Sequence, residues 1–248
     1  MLHSTYSHKE TNEDPKTSAV FENLMLMPDN VFWHILRQSC FSNDTMPIHS
    51  GHLLSYDFWP HWDKTDTDNK IYVEPDLFIR FELFDVIIEA KYSDTGGQYE
   101  RQWKQEITAY HNEYGNEKPF VFIAVGGNQS ILAETKTVKG EKVKIYKCNW
   151  LSILMGVNKY QKELESISAP DMNVSATLRL LDNIILAFNI NGVYNIDWFN
   201  SMAQPIPVIS ESKEHSLYPN IQENIQAASL RITITCDTTW AGFLHLHF

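Results

Sequence analysis

The stretch EPDLFIRFELFDVIIEAK, residues 74–91, decides the fold of this chain. Two apolar segments, residues 77–81 and 86–91, stand on either side of a short break at residues 82–85. Short segments rich in β-branched and aromatic residues, separated by so few residues, are typical of two antiparallel strands joined in a hairpin. The break lacks the Asn-Gly pair that favours a two-residue turn, and we assign Asp85 to the turn.

Three chargeable side chains stand at the open end of this hairpin. Asp76 follows Pro75 at the entry to the first strand, and Glu89 and Lys91 end the second strand. Because successive side chains of a strand point to opposite faces, Glu89 and Lys91 share one face and Ala90 has the other. Hairpin pairing brings Asp76 beside them, so two carboxylates and one ammonium group are expected to meet at the end of an apolar sheet.

This set of groups suits cation-assisted hydrolysis of a phosphate ester. Mg²⁺ takes oxygen ligands, commonly one or two carboxylates completed by waters and substrate phosphate. Such an ion neutralises charge that develops on the phosphate and lowers the pKa of a bound water. A lysine beside it orients that water or stabilises the transition state. The carbonyl group of Ala90 lies on the same short span and is a candidate for a further ligand.

The segments on either side of the hairpin predict a mixed α/β fold. The predicted elements, in chain order, are helices over residues 14–27 and 29–40, strands over 53–59, 77–81 and 86–91, a helix over 98–114, strands over 120–125 and 144–148, and helices from residue 151. Strands and helices in this order describe a mixed sheet flanked by helices.

With Pro75-Asp76 followed by Glu89-Ala90-Lys91 in this element order, the chain resembles the PD-(D/E)XK nuclease superfamily. The resemblance implies an α/β, restriction-endonuclease-like core with the order α-β-β-β-α-β over residues 13–150. A flexible N-terminus at residues 1–12 precedes this core. A mainly helical C-terminal extension with a possible edge strand follows it at residues 151–248.

The resemblance also implies roles for individual residues. Asp76 and Glu89 are expected to bind Mg²⁺ or Mn²⁺, with Ala90 as a backbone ligand and Lys91 as the catalytic lysine. Many members of the superfamily place a further metal-facing glutamate on the first helix. Here the candidates are Glu13, which we prefer because it stands at the helix start, and Glu22.

Many members also carry a glutamine early in the helix that follows the lysine strand. Gln98 matches that position, and the alternative is an ordinary polar residue at a helix start. Gln102 lies one turn further on the same helix face, with Arg101 beside it. These groups are expected to hold substrate phosphate or the attacking water.

Composition restricts the class of protein. The 20 Lys and Arg residues are outnumbered by 31 Asp and Glu residues, which gives a net charge of −11. Nucleic-acid affinity comes largely from Lys and Arg, so this balance argues against a free-standing, tight DNA binder. The polar N-terminus, the lack of a long apolar segment and three widely spaced cysteines predict a cytoplasmic protein that does not enter a membrane.

The expected activity is hydrolysis of phosphodiester bonds, with DNA as substrate, in defence against foreign DNA or in repair. The alternative is a non-catalytic or conditionally active subunit of the same fold that binds nucleic acid or protein within a larger complex. The acidic balance motivates that alternative, because DNA affinity would then come from a local patch or a neighbouring subunit.

Four further segments have features that bear on binding. The apolar residues 178–188 predict a helix that is either deep core or an interface, and residues 230–248 alternate like an edge strand. Together they suggest a homo-oligomer or a complex with a partner subunit such as an ATPase or sensor. The lysines between residues 136 and 147 either grip phosphate or belong to a solvated hairpin. Gly126-Gly127-Asn128 lacks the residues that complete a phosphate-binding loop.

Overall fold

The computed structural model describes residues 13–167 and 172–195, which belong to one compact unit. The predictions for residues 1–12 and 230–248 lie outside the described residues. The helices are α1 (Glu13–Leu24), α2 (Asp29–Ser39), α3 (Glu100–Tyr114), α4 (Trp150–Glu165) and α5 (Met172–Ile190), with a 3₁₀ turn at Asn43–Thr45. The strands are β1 (Leu53–Phe58), β2 (Leu77–Phe81), β3 (Asp85–Ala90), β4 (Phe120–Val125), β5 (Glu134–Val138) and β6 (Glu141–Cys148).

The six strands form one mixed sheet in the order β1-β2-β3-β4-β6-β5. β1, β2 and β3 pair antiparallel, β3, β4 and β6 pair parallel, and β5 returns antiparallel beside β6. The prediction of an α/β fold with a mixed sheet flanked by helices is therefore confirmed. β5 was missing from the sequence-based assignment, which placed its residues in the connection between two strands.

Alternation of side chains along the strands divides the core into two layers. One face of β3 presents Val86 and Ile88 to the side covered by α1, α2, α4 and α5. The other face presents Ile87 to α3, whose Trp103 and Ile107 pack there. Glu89 has the same parity as Ile87, so its side chain points to the α3 layer.

Asp85 corrects one sequence-based assignment. It is the first residue of β3 instead of a turn residue, and its side chain is fully buried. Lys118 donates to its Oδ1 at 2.7 Å and the Tyr110 hydroxyl donates to its Oδ2 at 3.1 Å. Lys118 lies just before β4 and Tyr110 lies in α3, so both partners come from the fold itself. They compensate the buried carboxyl group of Asp85.

The two C-terminal helices pack on the same core as the N-terminal ones. α5 packs against α1 and α4, and it buries Leu181, Ile184 and Phe188. The helix predicted at residues 178–188 therefore contributes to the chain's own core, which is the first of the two alternatives, core or interface. Among residues 13–167 and 172–195, no helix is long and apolar enough to cross a membrane.

Candidate functional site

Strand pairing brings Asp76 and Glu89 together. Leu77 pairs with Ile88 across β2 and β3, so the preceding residue Asp76 stands opposite Glu89 on the same face of the sheet. Asp76 Oδ2 accepts a hydrogen bond from the backbone N–H of Ala90 at 2.7 Å. Both carboxyl groups are buried, with 7% of Asp76 and 1% of Glu89 exposed to solvent.

Lys91 joins this pair from the end of β3. Its ammonium group donates to Glu89 Oε1, to the carbonyl oxygen of Ala90 at 3.1 Å and to Glu13 Oε1 at 3.4 Å. Glu13 Oε2 accepts from the backbone N–H of Tyr92 at 3.0 Å. Of the two glutamates considered on the first helix, Glu13 is therefore the one beside Lys91, and Glu22 lies about 13 Å further along the helix axis.

Gln98 and Gln102 contact Glu89 in different ways. Gln98 lies before α3, which begins at Glu100, so the prediction that the helix includes Gln98 was wrong. Gln98 donates through Nε2 to the backbone carbonyl of Glu89 at 3.0 Å, while its Oε1 accepts from Trp103 Nε1 at 2.6 Å. Gln102 donates to the Glu89 carboxylate itself, at Oε1, over 2.7 Å. Gln98 thus holds the strand backbone, and Gln102 holds the functional group.

Glu106 is a residue of this site that the sequence analysis missed. It is 1% exposed, and its carboxyl group lies in hydrogen-bonding contact with the Glu89 carboxyl group and the Gln102 amide. It follows Gln102 by four residues, so these two side chains lie on the same face of α3. That spacing was the available signal, since Gln102 had been predicted to belong to the site.

Burial and mutual repulsion make the carboxyl groups of the site hard to ionise without a cation. Burial raises the pKa of Asp76 well above its ordinary value, and the Glu89 charge raises it further. Burial and the neighbouring Glu106 likewise raise the pKa of Glu89. Burial raises the pKa of Glu106 to about 8. Burial lowers the pKa of Lys91, but the carboxylates of Glu89 and Asp76 outweigh it and raise the pKa, so Lys91 stays charged.

The backbone around Lys91 is held by close packing. An added Cβ at Gly127, where φ is +62°, would stand 2.7 Å from the carbonyl oxygen of Gly96 and 2.8 Å from the Lys91 side chain. Trp150, the fully buried first residue of α4, donates through Nε1 to the Lys91 carbonyl oxygen at 2.7 Å. Lys16 of α1 donates to the Tyr92 carbonyl oxygen at 2.8 Å. The Gly126-Gly127 pair therefore allows this backbone to pass close to Lys91, where a side chain would not fit.

Lysines of the β5–β6 hairpin are engaged with protein groups. Lys147 is 2% exposed and pairs with Glu134, and Lys136 pairs with Glu134 at 2.7 Å and with Glu100 at 2.8 Å. Lys139 pairs with Asp66 at 3.2 Å. These contacts indicate that the hairpin lysines form ion pairs on the surface. They argue against the alternative that the lysines bind substrate phosphate.

The donor set is suited to a hard divalent cation. Asp76 and Glu89 supply carboxylate oxygens, and Glu89 Oε2 is buried without a hydrogen-bond partner. Mg²⁺ needs only one or two carboxylates, because waters and substrate complete its coordination. In the described part of the chain, no group of three or more His, Cys, Asp and Glu side chains converges so as to hold a metal ion.

No protein-family model and no curated protein matches this chain.

Proposed function

We propose that the chain is a divalent-cation-dependent nuclease of the PD-(D/E)XK type that hydrolyses phosphodiester bonds in DNA. The observation that carries the proposal is the convergence of Asp76, Glu89 and Lys91 at the end of the β2–β3 hairpin. The element order around this hairpin also supports it, because two helices precede the three antiparallel strands, and a helix and a parallel strand follow them.

Each residue has a role in this proposal. Asp76, Glu89 and the carbonyl group of Ala90 would hold Mg²⁺ or Mn²⁺, which would neutralise phosphate charge and lower the pKa of a bound water. Lys91 stays charged, so it acts by orienting the attacking water and by stabilising negative charge on the phosphate. Glu13 holds the Lys91 ammonium group in place at 3.4 Å.

Gln98 and Gln102 act on Glu89 in the proposed site. Gln102 fixes Oε1 of Glu89 and thereby leaves Oε2 for a ligand, while Gln98 fixes the backbone of the strand end. Neither glutamine is proposed to touch substrate. Together the two hydrogen bonds hold the backbone and the carboxylate of Glu89 in place in the proposed site.

The cellular role proposed is defence against foreign DNA or repair, in the cytoplasm, by analogy with nucleases of this type. The net charge of −11 disfavours unassisted encounter with DNA, so we propose that the working form is a homo-oligomer or includes a partner subunit, such as an ATPase or sensor.

Plasmid cleavage tests the activity. Supercoiled plasmid incubated with the purified chain and Mg²⁺ should be nicked or cut, and a chelator should abolish the effect. Lys91→Ala should lower the rate by about 10²-fold or more, since it removes a group that acts on the transition state. Lys142→Ala, which removes an exposed lysine on β6, is the matched control. Equal cleavage by wild type and Lys91→Ala would assign the activity to a contaminant.

The second candidate function is a subunit of this fold that binds nucleic acid or protein without cutting. The net charge of −11 and the pairing of the hairpin lysines favour it, because both leave little free positive charge for DNA. Calorimetric titration with Mn²⁺, repeated on Asp76→Ala, separates the two functions. Absence of binding that depends on Asp76 would favour the non-catalytic subunit.

A further inference from the structure

The main chain of Tyr92, which directly follows Lys91, is held by two side chains of α1. Its N–H donates to Glu13 Oε2 at 3.0 Å, and its carbonyl oxygen accepts from Lys16 Nζ at 2.8 Å. Glu13 and Lys16 are three residues apart, so they lie on the same face of the helix. Residues 92–95 form neither helix nor strand, and these two hydrogen bonds therefore take the place of strand pairing at Tyr92.

Aromatic rings enclose the ammonium group of Lys16. Lys16 is 4% exposed, and its Nζ lies 5.0 Å from the centre of the Tyr92 ring and 4.7 Å from that of the Trp150 ring. Attraction of a cation to such rings offsets part of the cost of burying its charge. Burial lowers the pKa of Lys16 to about 8, and the Asp94 carboxylate opposes that shift, so the group is charged at neutral pH.

The groups that Lys16 contacts are also the groups that hold Lys91. Glu13 accepts from Tyr92 through Oε2 and faces Lys91 Nζ through Oε1 at 3.4 Å. Trp150, whose ring lies beside Lys16, donates through Nε1 to the Lys91 carbonyl oxygen at 2.7 Å. Because Lys16 is almost fully buried, it has little surface to offer a substrate, and its effect on Lys91 passes through these neighbours.

We propose that Lys16 is a positioning residue for Lys91. Glu13 and Lys16 form a clamp that holds the main chain of Tyr92 against α1, and the clamp fixes the direction in which the Lys91 ammonium group points. The inference rests on the proposed function, in which Lys91 acts on the transition state. Loss of the clamp slows the chemical step and leaves the binding of cation and DNA unchanged, because the clamp contains none of the ligands proposed for the cation.

Nicking kinetics of the full chain on supercoiled plasmid with Mg²⁺ test the inference. Lys16→Met removes the hydrogen bond and the charge at similar side-chain length. It should lower kcat by about 10- to 100-fold with KM unchanged, since a small misplacement of a catalytic group has effects of that size. Lys16→Arg keeps a cationic donor and should recover most of the lost kcat. Lys16→Gln, which shortens the side chain and removes the charge, replaces Lys16→Met if that variant does not fold, and the same loss is expected.

Lys118→Met is the matched control for lost stability. Lys118 partners the buried Asp85 carboxylate at 2.7 Å, at the opposite end of β3 from Lys91. This variant should be destabilised and yet keep the wild-type kcat at temperatures where it is folded. Equal kcat in wild type and Lys16→Met would overturn the inference. So would an equal loss of kcat in Lys16→Met and Lys16→Arg, or in Lys16→Met and Lys118→Met.

Amide hydrogen exchange, resolved by NMR, separates this inference from the proposed nuclease. In Lys16→Met the Tyr92 amide should exchange at least about tenfold faster, while the Ile87 amide in the middle of β3 keeps its wild-type rate. Faster exchange at Tyr92 in a chain that cleaves no DNA would keep the clamp and remove the nuclease. A Tyr92 amide that exchanges at the wild-type rate would remove the clamp, even in a chain that cleaves DNA.

Discussion

Glu106→Gln should abolish a pH dependence in the free energy of unfolding of the cation-free protein. In the folded chain, burial holds the pKa of Glu106 at about 8, whereas its ordinary value is 4.5. The folded state therefore keeps a proton on Glu106 at pH values where the unfolded chain has lost it. The groups that face Glu106 are the carboxyl groups of Glu89 and Asp76, the ammonium group of Lys91 and the amide of Gln102.

The sign follows from proton linkage. Between about pH 4.5 and pH 8 the native state binds one more proton at Glu106 than the unfolded state does, so its stability falls as the pH rises. The slope from this group alone is about 1.4 kcal/mol per pH unit. Glutamine cannot ionise, so the variant lacks this slope. The difference in stability between the variant and wild type should therefore grow by about 3 kcal/mol in favour of the variant from pH 5 to pH 7.5.

Urea denaturation at pH 5, 6, 6.75 and 7.5, with chelator present throughout, measures this difference. Glu100→Gln is the control, because Glu100 is exposed on the same helix and its pKa is lowered to about 2 by hydrogen bonds from Lys104 and Lys136. It is ionised in both states above pH 5, and its slope should match that of wild type. Parallel curves for wild type and Glu106→Gln would refute the argument, since they would mean that Glu106 ionises normally in the folded chain.

Three other substitutions give expectations for backbone packing, buried charge and the C-terminal helix. Gly127→Ala should displace Lys91, destabilise the fold by about 1–3 kcal/mol through overpacking and lower cleavage, as measured by urea denaturation and plasmid nicking. Lys118→Met should cost about 2–4 kcal/mol in urea denaturation, because it removes the 2.7 Å partner of the buried Asp85 carboxylate. Leu181→Ala should lower the free energy of unfolding by about 2–5 kcal/mol, because Leu181 is fully buried in α5.

Matched controls isolate the cause in each of these cases. Gly115→Ala shares the positive φ of Gly127, at +67°, but its Cβ meets open space, so it carries the backbone strain without the clash. Lys142→Met removes an exposed lysine and should change stability little. Leu186 is 54% exposed on the same helix as Leu181, so Leu186→Ala should be nearly neutral. Equal effects within any pair would contradict the corresponding interpretation.

Local patterns in the sequence were enough to predict the hairpin and its acidic end. Alternation along residues 86–91 predicted that the side chains of Glu89 and Ala90 point to opposite faces of the sheet. In the structure Glu89 points toward α3 and Ala90 lies in the other layer. Phe120–Val125 was predicted with its observed bounds because a short apolar run between Pro119 and Gly126 has few other solutions. The residues predicted to surround Lys91 are brought together in the structure.

The features that were not predicted depend on contacts with residues that are distant in the sequence. Asp85 was assigned to a turn because a carboxylate rarely starts a buried strand, and its partner Lys118 is 33 residues away. Glu106 was passed over because a glutamate in a helix usually faces solvent. β5 was missed because its alternating Thr and Lys residues carry little apolar signal, and only pairing with β6 defines it.

Trp150 connects the two ends of the described chain to the site, and this bears on the order in which the protein can fold during synthesis. Its ring lies 6.1 Å from that of Phe21 in α1 and 6.4 Å from that of Phe188 in α5. A nascent chain that has emerged only as far as β6 lacks both Trp150 and the helix that covers α1. Such long-range closure is slow. The packing of α1, the helix that carries Glu13 to Lys91, is therefore complete only after α5 has left the ribosome.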